Sequence, residues 1–273
     1  MSEPADAVHT SAVPTALPPA APVAPRAAPL VGAFLADIGL AVFLMLAISL
    51  AGGIALGVWQ LLSQGIPAAG AEPLPGQPGL LAQIVLVILS TGIIALTLYF
   101  LRQPASADER ARSLAALRRP STWGWTLAAG LVVFLGSALF SWLGRQAGID
   151  PVPSNEAMVE EAAARWPVFL ALFVVVLAPA YEELLFRRVL FGRFLRAGRP
   201  WLGLVLSSLA FALAHEMPFL SDNTLPAMLL LWLAYGGLGA AFAWVYWRTG
   251  TLWAAVSAHA LNNGIALALH GFG

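Results

Sequence analysis

The chain has 273 residues, of which 59% are hydrophobic and 10% charged, with a mean hydropathy of +0.80 and a formal net charge of zero. A soluble domain carries about 25% charged residues, so an ordinary soluble enzyme is excluded, and the lack of a basic excess leaves no footprint for a nucleic-acid partner. Cysteine is absent, which excludes disulfides, thiolate metal sites and a cysteine nucleophile.

Residues 1–30 hold seven prolines among Ala, Val, Ser and Thr. Proline blocks regular structure and little here can be buried, so a disordered tail is expected. It lacks the basic start and short apolar core of a secretory signal, and its His9 is expected in solvent. A membrane-embedded helical domain is expected over 31–270. Seven apolar segments follow the tail, at roughly 31–63, 79–101, 122–145, 166–197, 201–216, 224–247 and 251–269. Runs of this length mark an all-α, polytopic membrane bundle and not the short alternating strands of a barrel. The first segment is long enough to tilt, or to break near Gly52-Gly53 and give an eighth span. Residues 64–78 form a Pro/Gly-rich linker.

The arginines set an orientation. Arg102, Arg110, Arg112, Arg118 and Arg119 lie between segments two and three. Arg187, Arg188, Arg193, Arg196 and Arg199 close segment four, Arg248 lies between six and seven, and Arg26 is in the tail. Seven spans with a cytoplasmic N-terminus put all of these inside and leave only Arg145 and Arg165 outside, as the positive-inside rule asks. The reading is a multi-pass protein of the cell membrane.

Segment four ends in an unusual way. An apolar run from Pro167 to Tyr181 meets two carboxylates, Glu182 and Glu183, and Arg187 follows one turn later. The bland reading is that the helix has ended and the charges are wet. On a helical wheel, however, Glu183 and Arg187 lie within about 40° of each other. Arg187 shares its sector with Leu190, Phe191 and Phe194, so it points inward and compensates Glu183. Glu182 projects about 100° away with no local cation. Ionisable groups in a membrane helix are functional-site hypotheses by default.

Two later segments add polar faces. Segment five ends in FALAHE, with Phe211 and His215 one turn apart and Glu216 before Pro218 at the helix end. The zincin pattern of two histidines flanking a glutamate is absent, because Met217 and Pro218 follow. Segment seven carries SAHALNNG, in which His259 and Asn263 share a face and Asn262 points aside. The bland reading of each is interhelical hydrogen bonding. Ser207, Ser208 and Ser257 read as packing residues, and His270 is terminal. Glutamate with histidine can activate water, directly or through a cation, while a second histidine and an amide can donate to an oxyanion. That set suits amide hydrolysis. At about 1.5 Å per residue, Glu182 lies about 24 Å from the outer start of segment four, so the site is expected to open to the cytoplasm or inner leaflet.

These residues resemble the CPBP family of intramembrane proteases, also called Abi or type II CAAX prenyl endopeptidase-like. The family pattern EExxxR, FxxxH, HxxxN reads here as Glu182-Glu183 to Arg187, Phe211 to His215, and His259 to Asn263, in order, within a core at about 165–265. The resemblance implies a bundle of about eight spans and peptide-bond hydrolysis in the membrane. By carry-over Glu182 and His215 activate water, His259 and Asn263 stabilise the oxyanion, and Glu183 and Arg187 support the site. A divalent metal such as zinc on Glu182 and His215 is a further option, although the donors are poor in nitrogen and lack a thiolate. The implied partner is a membrane-associated peptide or protein within the lipid bilayer. Two other readings compete: a non-proteolytic immunity or scaffold protein, and a small transporter, whose inverted repeats are not visible here.

Overall fold

A computed structural model describes residues 27–64 and 79–270. The expected tail as far as residue 26 and the linker over 65–78 lie outside the described residues. Nine helices follow one another, and no strand occurs among the described residues. They are α1 (Ala27–Gln64), α2 (Leu80–Arg102), α3 (Ala107–Ala116), α4 (Pro120–Gln146), α5 (Glu156–Arg165), α6 (Pro167–Arg196), α7 (Pro200–His215), α8 (Leu225–Thr249) and α9 (Leu252–His270). Six of them, α1, α2, α4, α6, α8 and α9, are long and apolar enough to cross a membrane. Their outer faces expose Leu46, Leu62, Phe100, Val132 and Val168, a continuous apolar surface far beyond that of a soluble monomer.

The seventh segment expected from the sequence is α7, apolar but only 16 residues long. At about 1.5 Å per residue it reaches about 24 Å, less than a hydrocarbon core of about 30 Å. The eighth span is not found: α1 is one unbroken helix of 38 residues. Gly52 does not break it. Leu86 of α2 lies against this glycine, and a Cβ there would come within 2.6 Å of its side chain. The helix also begins at Ala27, inside the range read as tail.

Two short helices, α3 and α5, were not expected, because the sequence was read for long apolar runs. α3 carries a signal that was available: Ser106 accepts from the backbone of Glu109, and Glu109 reaches back to the backbone of Ser106. This reciprocal pair starts a helix without an apolar stretch.

α6 holds the bundle together. Phe186, Val189, Leu190 and Phe194 pack with α1, α2 and α7, while Phe191 packs with α4, α8 and α9. The helix is widened twice, over Phe173–Leu177 and Leu184–Phe191, where the backbone bonds run i to i+5. Such widened turns are frequent at functional sites. α8 and α7 approach closely, and a Cβ on Gly239 would lie 3.0 Å from the backbone of Ser208. Ser207 and Ser208 both donate to the Leu204 carbonyl, in keeping with a packing role.

One end of the bundle is a layer of charge. Asp37 of α1 is wholly buried and pairs with Arg102 of α2 and Arg193 of α6. Arg188 of α6 binds Glu109 of α3 through both guanidinium nitrogens, at 3.1 and 2.8 Å, and also the Gln103 and Pro104 carbonyls. The two arginine clusters that the positive-inside rule assigns to one side are thus in contact. The Arg188 guanidinium beside Glu109 draws that carboxyl from its ordinary 4.5 down to about 2. A depressed carboxylate stabilises the fold above its unfolded pKa and loses that effect as pH falls through the folded one. Protection of the amides of residues 107–116, measured as exchange relative to the intrinsic rate at each pH, should therefore be high at pH 5 and fall between about pH 4.5 and about pH 2. Glu109→Gln should show the lower protection already at pH 7.

Candidate active site

α6, α7 and α9 deliver the polar side chains to one level of the bundle. Glu183 is wholly buried. Its Oε2 lies 3.0 Å from Nε of Arg187, in the i,i+4 arrangement expected from the sequence. Its Oε1 meets Nδ1 of His259 at 2.9 Å. One carboxylate therefore ties a cation on its own helix to an imidazole on α9. The contact with Nε is an ion pair without hydrogen-bond alignment, and Nη1 of Arg187 has no hydrogen-bond partner among the described residues. Other groups compensate the charge. Nη2 donates to the Gly239 carbonyl at 3.3 Å, and the guanidinium carbon lies 4.5 Å from the Phe211 ring centre and 5.4 Å from that of Phe242. Aromatic faces attract a desolvated cation by about 2 kcal/mol.

Glu182 occupies a separate sector. Its Oε2 is 3.6 Å from Nε2 of His215 and 4.0 Å from Nε2 of His259. Both separations are too long for a direct hydrogen bond, and Oε2 is buried without a hydrogen-bond partner among the described residues. Polar groups at such spacings are commonly bridged by water. The side chains of Glu182 and His215 remain 21% and 24% exposed, whereas His259 is 4% exposed. A reactant can therefore reach the first pair, and the third residue forms the wall behind it.

The ring protons follow from the acceptors. Nδ1 of His215 lies 2.9 Å from the Phe211 carbonyl, which only accepts, so Nδ1 carries the proton and the neutral ring keeps a lone pair on Nε2. Nδ1 of His259 faces the Glu183 carboxylate, with the same consequence. Both histidines thus turn Nε2 toward Glu182. Aromatic rings fix them in place. His215 is sandwiched between Phe211 and Tyr235, with ring centres 4.2 and 4.7 Å away, and His259 stacks on Phe242 at 4.7 Å.

Asn263 is held by the first widened turn of α6. There the Ala178 N–H reaches back to the Phe173 carbonyl. The next donor in that register would be Pro179, which has no N–H, so the Val174 carbonyl is left free. Asn263 Nδ2 donates to it at 2.9 Å, and Asn263 Oδ1 accepts from Asn262 at 3.0 Å. The structure thus gathers Glu182, Glu183, Arg187, His215 and His259, while the hydrogen bonds of Asn263 run to Val174 and Asn262.

Some of the site was not read from the sequence. Tyr235, Gly239 and Phe242 come from α8, which reads as a plain apolar span. Glu216, taken as the end of a helix, is wholly buried. It accepts from Ser154 Oγ and Asn223 Nδ2, each at 2.9 Å, and from Ser221, while its carbonyl accepts from Trp232 at 2.8 Å. Burial acts to raise its pKa, but the bonds from Ser221, Asn223 and Ser154 outweigh this and hold it below the usual carboxylate range. It anchors the end of α7 one residue after His215. Ser221 and Asn223 belong to the loop that Glu216 begins, whereas Ser154 comes from a loop 62 residues away, a tertiary contact with no local motif.

The donor set was tested for a metal. Glu182 and His215 offer two ligands, and the Nε2 of His259, 4.0 Å from Glu182, is a further donor nearby, whereas structural zinc takes four and catalytic zinc three plus water. Among the described residues no group of three or more His, Asp or Glu side chains could hold a metal ion, so the set does not fit a zinc centre.

Residues 164–265 match the family described as "Type II CAAX prenyl endopeptidase Rce1-like". Every residue from Glu182 to Asn263 that carried the resemblance lies inside that match. The chain is 26% identical over 116 residues to the "Putative membrane peptidase YdiL" of Bacillus subtilis (strain 168), covering 42% of this chain and 43% of that protein. It is 26% identical over 193 residues to the "Membrane-embedded CAAX protease MroQ" of Staphylococcus aureus (strain USA300), covering 68% of this chain and 71% of that one. The chain thus spans less than half the length of the first of these relatives. No solved structure matches it.

Glu183→Gln should leave Arg187 buried without its counter-charge. Removing one partner of a buried pair costs about 3–5 kcal/mol, so thermal unfolding in detergent should move to markedly lower temperature. The double variant Glu183→Gln/Arg187→Met should recover part of the loss.

Proposed function

We propose that this chain, whose residues 164–265 match the Rce1-like family, is a membrane-embedded endopeptidase. Water activated between Glu182 and His215 hydrolyses a peptide bond of a membrane-associated peptide or protein. One observation carries the reading: an unpartnered carboxylate oxygen of Glu182 sits between the Nε2 atoms of two histidines whose other nitrogens are already bound.

Glu182 takes a proton from the water held beside His215 Nε2. The hydroxide adds to the scissile carbonyl. The proton then passes to the leaving nitrogen as the C–N bond breaks, giving an acid and an amine. General bases of this kind contribute about 10²–10⁴ in rate.

Asn263 has spent one amide proton on Val174, and its second is free for the carbonyl oxygen. His259, with Nδ1 given to Glu183, can donate from Nε2 only as the doubly protonated ring. Glu183 and Arg187 take no proton from the reactants and hold the helices in register. No step is routed through a metal, because the donor set does not fit one. The multi-pass arrangement supports a reaction within the bilayer, and the arginine distribution supports a cytoplasmic N-terminus.

Glu182→Gln keeps the shape of the side chain and removes the base. Purified in detergent and given a candidate membrane peptide, this variant should lose at least about 10²-fold in turnover with a thermal midpoint near wild type. Retained activity in Glu182→Gln would overturn the assignment. If the intact protein is folded and cleaves nothing across a broad peptide panel, a non-proteolytic scaffold becomes the better reading.

A further inference from the structure

A second cavity, of about 610 Å³, opens at the charged end of the bundle and shares none of its lining with the Glu182 site. It lies between α3, α6, the end of α8 and the start of α9, and its lining changes with depth. Arg196, Arg188, Leu184 and Ala180 follow one another down its α6 wall. Arg188 to Ala180 is about 12 Å at about 1.5 Å per residue. On the α9 wall Leu252 and Val256 descend from the same surface, while Arg110 and Arg112 of α3 stand at the mouth.

The charges at the mouth do not balance. The lining holds four arginines and one acid, Glu109, which Arg188 already binds. Arg196 donates to the neutral Gln103 side chain and Arg110 to the Ala105 carbonyl. Arg112 has no hydrogen bond or ion pair among the described residues, and both it and Arg110 are exposed. Three guanidinium groups therefore stand without an ion pair among the described residues, at the level where the spans end and above a pocket that becomes apolar with depth.

We propose that this cavity binds an acidic phospholipid. Arg110 and Arg112 hold its phosphate, and an acyl chain lies against Leu184, Leu252 and Val256. The order of cationic mouth and apolar floor matches that of a lipid standing in its own leaflet. A free phosphate would engage only the mouth, and a zwitterionic lipid would leave the arginines uncompensated. Basic pockets between spans recognise acidic headgroups by this same charge complementarity, with each basic side chain near the surface contributing about fivefold in affinity.

The test is thermal unfolding of the full chain in detergent micelles doped with phosphatidylglycerol, with phosphatidylcholine of the same acyl chains, or with soluble glycerol phosphate. A ligand bound only by the folded state raises the midpoint with concentration. Phosphatidylglycerol should raise it, and the other two should not at equal concentration. The Arg110→Ala/Arg112→Ala variant should need about 25-fold more phosphatidylglycerol for the same shift. Val256→Trp fills the apolar floor without altering charge and should also lose the shift, with circular dichroism confirming that each variant is folded. An equal response to phosphatidylcholine, or an unaltered response in folded Arg110→Ala/Arg112→Ala, would overturn the proposal. A full response to glycerol phosphate would mark an anion site and overturn the lipid assignment.

Discussion

The Glu183–Arg187 pair is the interaction on which the rest of the structure depends. Both residues are essentially without solvent, at 0% and 1% exposure, and neither charge could remain there alone. The pair survives because α6, α7, α8 and α9 enclose it together. Gly239 gives a carbonyl, Phe211 and Phe242 give aromatic faces, and His259 gives a ring nitrogen. These groups come from three different helices, α7, α8 and α9, so the pair can form only when the bundle is assembled. That requirement places His259 beside Glu182 with its Nε2 free. The neutralised glutamate therefore does the positioning, and the glutamate beside it is left unpartnered.

A second constraint comes from the backbone of α6. Pro179 removes one donor from a helix that is already widened over Phe173–Leu177, and the Val174 carbonyl must find a partner elsewhere. Asn263 supplies it. This joins α6 to α9 one turn beyond the His259–Glu183 contact, so two hydrogen bonds fix the register of the helices that carry the reactive groups. Burial of a polar group without a partner is costly in an apolar bundle, which makes both contacts stiff. α7 is held differently, by aromatic stacking on His215 and by the hydrogen bonds that converge on Glu216.

Much of this was legible in the sequence because it follows from helical spacing. The four-residue interval placed Arg187 against Glu183, and the one-residue offset turned Glu182 to another sector. The long apolar segments were visible as runs, and the serines of α7 read correctly as packing residues. What was not legible depends on tertiary contacts. Nothing local to Tyr235 or Phe242 distinguishes them from other aromatics of an apolar span, yet they clamp the two histidines. Glu216 read correctly as a helix end, but its burial was not visible, because Ser154, one of the groups that bind it, comes from a loop 62 residues away. Asp37 was overlooked for the same reason: Arg102 and Arg193, which neutralise it, are far away in sequence. Gly52-Gly53 suggested a break by propensity alone, whereas packing against Leu86 keeps α1 continuous.

The division of labour between the two glutamates is tested most directly by a pair of double-mutant cycles on the free energy of unfolding in detergent. Contacting members of one network couple by about 0.5–3 kcal/mol, whereas sites more than about 7–10 Å apart with no shared partner add independently. Glu183→Gln and His259→Gln, joined directly at 2.9 Å, are expected to show the stronger coupling. Glu182→Gln and His215→Gln, 3.6 Å apart and not hydrogen-bonded to each other, are expected to couple more weakly, through the water they share. Stronger coupling between Glu182 and His215 than between Glu183 and His259 would contradict the assignment of positioning to Glu183 and of water activation to Glu182.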